Sequence, residues 1–196
     1  MKVLVLQGSP RKEGHTKQFS APFMDELRSL GAEVGEEWLC DRLILPCQGC
    51  GLCQDRLGEP GCFQQDDFEY LFNRIQGVDL IIFAAPIYSG FAPGPVKTFM
   101  DRLIYSPVKL YGKVKAPSLI AGKACAILMT SGFDPKTMVA AFESCIKILA
   151  SRTEMDYLGW AGGTDPGKAY TFMTEKKEQR ARAFARELLR KMEERG

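Results

Sequence analysis

A single histidine, His15, occurs in the 196 residues. With this one imidazole set in a glycine-rich loop, no Ser-His-Asp or Cys-His relay for nucleophilic hydrolysis is expected. Charge of one sign is missing too. Lys and Arg number 26 against 24 Asp and Glu, a net +2, which gives no case for a nucleic-acid or membrane-surface partner. Long apolar runs are absent. The longest, Val78 to Ile87, is interrupted by Asp79 and is too short to span a bilayer. Only five residues separate Lys2 from Gly8, less than a secretory apolar region needs, so a cytoplasmic protein is expected. Repeats, low-complexity tracts and linkers are lacking as well. The chain is therefore expected to form one domain over residues 1–196, long enough for a sizeable core.

What is present is an alternation of apolar runs and helical patterns. Strands are expected at Val3–Gln7, Glu33–Leu39, Asp79–Ala85, Ala124–Thr130 and Glu154–Trp160. Helices are expected at about His15–Leu30, Asp67–Ile75, Pro95–Tyr105, Pro135–Ala150 and Thr174–Glu194. Phe68, Leu71, Phe72 and Ile75 recur at helical spacing. Asp134-Pro135 reads as an N-cap followed by proline at the first helical position. Pro22 falls inside the first helical pattern and should kink that helix or delay its start. Strict alternation implies a parallel sheet covered on both faces. The first, third and fourth runs are continuously apolar, as central strands are. The second and fifth carry Glu33, Glu36, Glu37, Glu154 and Asp156, as edge strands do. The expected fold is therefore α/β, a flavodoxin-like doubly wound sheet of order 2-1-3-4-5.

In such a sheet ligands bind beyond the carboxyl ends of the strands, where strand order reverses. The segments expected there are Gly8–Thr16, Leu39–Asp66, Ala85–Pro95, Ser131–Asp134 and Ala161–Lys168. Glycine, proline, cysteine, hydroxyls and aromatics concentrate in them. Gly8-Ser9-Pro10-Arg11-Lys12-Glu13-Gly14-His15-Thr16 joins an apolar strand to a helix, which aims backbone N–H groups at a phosphate. It is not a Walker A loop, because five residues separate Gly8 from Gly14 and His15 stands where Lys is needed. It contains no Cys, so it is not a phosphatase loop either. The Pro86-Ile87-Tyr88-Ser89-Gly90 segment is rigid, small and aromatic, suited to lie along a planar ring. A ligand with a phosphate at one end and a flat heterocycle at the other has the shape of FMN.

These two segments, with Lys97-Thr98-Phe99-Met100-Asp101-Arg102 and Cys47-x2-Cys50-x2-Cys53 followed by Cys62 and Asp66-Asp67, resemble the NAD(P)H-dependent FMN reductase and iron–sulfur flavoprotein group from Met1 to about Gly132. The resemblance implies bound FMN and electron transfer from NAD(P)H to a small-molecule or protein acceptor. It implies that Ser9, Arg11, His15 and Thr16 hold the phosphate and that Pro86, Ile87, Tyr88, Ser89 and Gly90 contact the isoalloxazine. Thr130, Ser131 and Gly132 would close its other side. His15 departs from the Asn more usual in the group. A homo-oligomer with FMN near a subunit interface is also implied.

Seven cysteines in a cytosolic chain favour metal, redox or buried apolar roles over disulfides. Four of them, Cys47, Cys50, Cys53 and Cys62, fall within sixteen residues of a Cys-rich loop at about 40–66. C-x2-C-x2-C spacing lets three thiolates converge and a fourth complete the ligation of a 4Fe–4S cluster. The eight-residue gap from Cys53 to Cys62 is long for that purpose. Zinc, thiol redox chemistry and no cofactor stay open beside the cluster. Cys125 and Cys145 fall in strand and helix patterns and read as small apolar residues. Asp66-Asp67 reads as a helix N-cap, and Gly162-Gly163 after Trp160 as a turn. Two further functions remain alongside an NAD(P)H-dependent FMN oxidoreductase. One is a flavodoxin-type electron carrier, the other a phosphate-ligand binding module with structural cysteines.

Overall fold

The apolar runs form the middle of a five-stranded parallel sheet in a computed structural model that describes residues 1–109, 117–165, 167 and 170–195. The elements run β1 (Lys2–Gln7), α1 (His15–Ser29), β2 (Glu33–Trp38), α2 (Phe68–Gln76), β3 (Leu80–Pro86) and α3 (Gly94–Leu103). They continue with β4 (Ala124–Ser131), α4 (Pro135–Met138), α5 (Ala140–Thr153), β5 (Asp156–Thr164) and α6 (Glu175–Glu193). The order is β2-β1-β3-β4-β5, the flavodoxin-like arrangement, with β2 and β5 at the edges.

Successive side chains of a strand face opposite sides, and both sides here are covered. Leu4, Leu6, Ile81, Phe83, Cys125 and Ile127 pack with Phe68, Phe72, Phe99 and Phe142 of α2, α3 and α5. Val3, Val5, Leu80, Ile82, Ala126 and Leu128 pack with Phe19, Phe23 and Leu27 of α1 and Phe184 and Leu188 of α6. Double coverage is why β1, β3 and β4 read as unbroken apolar runs. Burial pushes the Cys125 thiol up to about 12, so Cys125 is an inert core residue.

Helix α1 starts at His15 with Pro22 buried inside it, so the proline does not delay the start. Asp134 caps α4 by accepting a 3.2 Å bond from the Thr137 amide, as its sequence position suggests. The helix expected from Pro135 is divided into α4 and α5. Glu154 is not part of β5 but adopts the left-handed conformation that ends α5, at φ 58°. Strand β5 starts later than expected and runs through Gly162 and Gly163 rather than turning there. Two β5 residues, Leu158 and Gly159, oppose Ala126 alone, a bulge that Gly159 permits at φ +118°. Gly162 is required for strand pairing itself, since a Cβ there would meet the Met129 carbonyl oxygen at 2.8 Å.

The amphipathic α6 is capped by Thr174 and buries Ala181, Phe184 and Leu188, and its Glu187–Lys191 pair is formed at 2.6 Å. No helix among the described residues is long and apolar enough to cross a membrane. In the long connection Tyr105–Lys123, residues 110–116, including Gly112, lie outside the described residues. So does Lys168 at the end of the loop after β5.

Candidate functional site

The carboxyl ends of the strands form a row. Gln7 pairs with Ala84, Pro86 with Thr130, and Ser131 with Thr164. At the first end, Gly8 donates a 2.7 Å hydrogen bond to the Ala84 carbonyl. The loop then closes on itself. Ser9 is buried, and its Oγ accepts from the Arg11 amide at 3.1 Å, while the Gly14 amide donates to the Arg11 carbonyl at 3.0 Å. Helix α1 begins after Gly14 with no side-chain cap and no acidic residue in its first turn. Its first-turn amides and the positive end of its dipole are thus left without a side-chain partner, an arrangement that favours an anion.

The third strand ends in a two-residue hairpin. Tyr88 and Phe91 exchange backbone hydrogen bonds of 2.7 and 3.0 Å across Ser89 and Gly90, which have φ of 50° and 78°. Two positive φ values make a type I′ turn, and the left-handed conformation of Ser89 costs about 1–2 kcal/mol. Phe91 anchors the turn edge-on to Phe142, whereas Tyr88 is exposed.

The structure brings three of the sequence-predicted segments to one locus. Thr16 Oγ1 and Thr130 Oγ1 lie 2.9 Å apart in a buried hydrogen bond, tying α1 to the end of β4. The Ile87 amide donates to the Thr130 carbonyl at 2.8 Å. Ser9, Arg11, His15 and Thr16 therefore share an edge with Pro86 to Gly90 and with Thr130 to Gly132. Ser131 Oγ is turned back onto its own loop, donating to the Phe133 carbonyl at 2.8 Å. A Cβ added at Gly132 would point into open space. Thr130→Val would leave Thr16 Oγ1 buried without its partner. Chemical unfolding should show a loss of about 1–3 kcal/mol, and an unchanged midpoint would show that the tie is dispensable.

Two residues of this locus were not singled out from sequence. Asp165 Oδ2 lies 2.8 Å from His15 Nδ1, and the ring of Phe172 stacks on the imidazole at 4.4 Å and 7°. Burial opposes ionisation of Asp165, but the Gly167 amide, His15 and Arg11 outweigh it and hold the carboxyl below its ordinary range. The Asp165 amide also donates to the Ser131 carbonyl at 2.6 Å. His15 is thus fixed in orientation from two sides. Phe172 follows β5 with no periodic pattern to mark it.

The Cys-rich loop leaves β2 and is pinned at its ends by the acidic pair. The Leu43 amide donates to Asp67 Oδ2 at 2.8 Å and the Leu45 amide to Asp66 Oδ2 at 2.7 Å. Asp66 Oδ1 accepts from the Phe68 amide at 3.1 Å, which makes it the first-turn cap of α2. Asp66 also forms a buried ion pair with Arg102 of α3. Lys109, buried, donates to the carbonyls of Cys53 at 2.9 Å and Pro60 at 3.1 Å, and burial lowers its pKa. Within the loop Cys47, Cys50, Cys53 and Cys62 line one cavity, with Arg102 and Ser106 among its other walls. All four are free thiols. Among the described residues no three Cys, His, Asp or Glu side chains are grouped to hold a metal ion. The four sulfurs thus share a cavity without being drawn onto a common centre. Cys40 takes no part in the lining.

Comparison with known proteins places this geometry. The family model of the NADPH-dependent FMN reductases matches residues 1–152. An iron–sulfur flavoprotein of Archaeoglobus fulgidus is 29% identical over 154 residues, 72% of this chain and 69% of that protein. One from Methanocaldococcus jannaschii is 32% identical over 127 residues, 62% of each. Other curated relatives are matched over only about half their length. Among solved structures, an NAD(P)H:quinone oxidoreductase from Methanothermobacter marburgensis superimposes with a TM-score of 0.75 at 18% identity, covering 96% of this chain and 97% of that one. That likeness bears on the fold. The match over residues 1–152 bears on descent, and by it the chain belongs to the NADPH-dependent FMN reductase family, whose members are NAD(P)H-dependent flavin oxidoreductases.

Proposed function

We propose that FMN binds across the carboxyl ends of β1, β3 and β4 and that the protein passes electrons from NAD(P)H to a small-molecule or protein acceptor. Ser9, Arg11, His15, Thr16 and the first-turn amides of α1 hold the phosphate. Pro86, Ile87, Tyr88, Ser89 and Gly90 orient the isoalloxazine, and Thr130, Ser131 and Gly132 close its other side. The observation that carries this reading is the set of hydrogen bonds from Gly8 to Ala84, Thr16 to Thr130 and Ile87 to Thr130, which fixes the three loops as one cradle beside an uncapped helix N-terminus. Bound flavin supplies the hydride and electron chemistry, while the chain supplies orientation and an anion site. No side chain is required as a general acid or base.

We read the four-cysteine cavity as the site of a 4Fe–4S cluster, on which Cys47, Cys50, Cys53 and Cys62 would be drawn together. The donor set is all thiol, the walls include a buried guanidinium with unpartnered N–H groups, and relatives carry iron–sulfur names. Such a cluster supplies one-electron steps. The protein is read as a cytoplasmic homo-oligomer with no nucleic-acid or membrane partner.

Anaerobically purified protein tests the reading. It should show flavin absorption, release a flavin bearing one phosphate, bleach with NADPH or NADH, and contain iron and sulfide in equal amounts. Colourless protein that takes up no FMN on reconstitution would overturn the flavin site. Flavin that nicotinamide does not reduce would make the protein a carrier instead.

A further inference from the structure

We propose that Arg102 is a fixed hydrogen-bond donor to the sulfurs of the group held in the four-cysteine cavity, and that it raises the reduction potential of that group. The inference rests on the reading of the cavity as a cluster site. Arg102 projects from α3 with only 2% of its side chain exposed, and its partner Asp66 is fully buried. A guanidinium carries five N–H donors. Nη1 serves Asp66 Oδ2 and the Leu45 carbonyl. Nε and Nη2 are buried and have no partner among the described residues.

These donors are held where they are. The guanidinium lies over the Phe68 ring at 4.2 Å, and Asp66 is itself held by the amides of Leu45 and Phe68. The side chain therefore cannot swing its idle N–H groups to water without breaking a buried ion pair. It lines the same cavity as Cys47, Cys50, Cys53 and Cys62. The chemistry that would satisfy planar N–H donors there is an anionic sulfur, a thiolate or a sulfide. Because Asp66 already balances the charge, what Arg102 offers the cavity is directed hydrogen bonding rather than net positive charge. Donors to cluster sulfur favour the more negative, reduced state, so they move the potential upward.

Arg102→Lys separates this role from a structural one. Lysine keeps a cation beside Asp66 but lacks Nε and the second arm. Anaerobically reconstituted holoprotein of both forms would be compared for iron, sulfide and FMN content and for the cluster midpoint in a redox titration followed by electron paramagnetic resonance. Equal iron, sulfide and FMN are expected, with the reduction equilibrium shifted about tenfold toward the oxidised cluster, ~59 mV for a one-electron couple. If the lysine variant does not accumulate as folded protein, the double variant Arg102→Met with Asp66→Asn removes both charges together and should lower the midpoint at least as far. A loaded, folded variant with the wild-type midpoint would overturn this inference alone. Wild-type protein that takes up no iron would overturn it together with the cluster reading.

Discussion

Asp66→Ala is expected to destabilise the protein by about 3–5 kcal/mol, measured by urea unfolding of the purified chain. Domains of this kind have about 5–15 kcal/mol in total, so the variant would be near the limit of folding. The reason is the charge it strands. Arg102 and Asp66 are both removed from water, and without the carboxylate the guanidinium has no counter-charge. The same substitution releases the Leu45 and Phe68 amides, detaching the Cys-rich loop and uncapping α2. Combining Asp66→Ala with Arg102→Met should recover a large part of the loss, because a neutral pair has no desolvation penalty to offset. A single-variant cost below about 1 kcal/mol would show that Arg102 is balanced by another group and that the loop does not depend on this anchor.

The pair also predicts an acid-sensitive limb. Burial by itself raises the Asp66 pKa, but the Arg102 hydrogen bond and the amides of Leu45 and Phe68 outweigh it and hold the carboxyl below its ordinary value of 3.8. Its folded pKa is thus below the unfolded one. The stability it contributes is complete above the unfolded carboxylate range and is lost as pH falls through the folded value. Asp165 is depressed in the same direction. Acid unfolding of wild type should therefore be steeper than that of the Asp66→Ala, Arg102→Met double variant.

The strands and their order could be read because continuous apolar runs and Glu-bearing runs differ physically. β1 and β3 are buried on both faces, while Glu33 and Glu36 lie on an edge. The loop between β1 and α1 was equally legible as structure, since an apolar strand followed by Gly8-Ser9-Pro10 and a helix pattern is a local signal. β5 was not. Gly162-Gly163 has the composition of a turn, and only the approach of Met129 shows that glycine is there to admit a neighbouring strand. The bulge at Gly159 likewise depends on pairing with β4. Asp165 and Phe172 escaped notice because their roles come from contacts with His15, some 150 residues earlier in the chain. The Cys-rich loop showed its chemistry but not its shape. That shape is set by long-range bonds from Asp66, Asp67, Ser106 and Lys109, none of which leaves a local period.

Gly8→Ala tests the cradle itself. A Cβ at Gly8 would meet Val96 Cγ2 at 2.2 Å, with Ala85 Cβ at 3.3 Å and the Ala84 carbonyl oxygen at 3.4 Å. Val96 is β-branched and buried near the start of α3, so it has no free rotamer to give. The added methyl must therefore push the loop after β1 away from α3, which stretches the Gly8–Ala84 hydrogen bond and parts the loop proposed to hold the phosphate from the Tyr88 hairpin. Overpacking of this kind costs about 1–3 kcal/mol. FMN affinity, measured by fluorescence titration of the apoprotein, should fall at least about tenfold, ~1.4 kcal/mol. Removing the obstructing methyl in Gly8→Ala, Val96→Ala should restore part of both losses, giving a coupling of roughly 0.5–3 kcal/mol. Wild-type affinity in the single variant would mean that FMN does not use this approach of loop to helix. Additive effects in the double variant would mean that the damage arises elsewhere than at Val96.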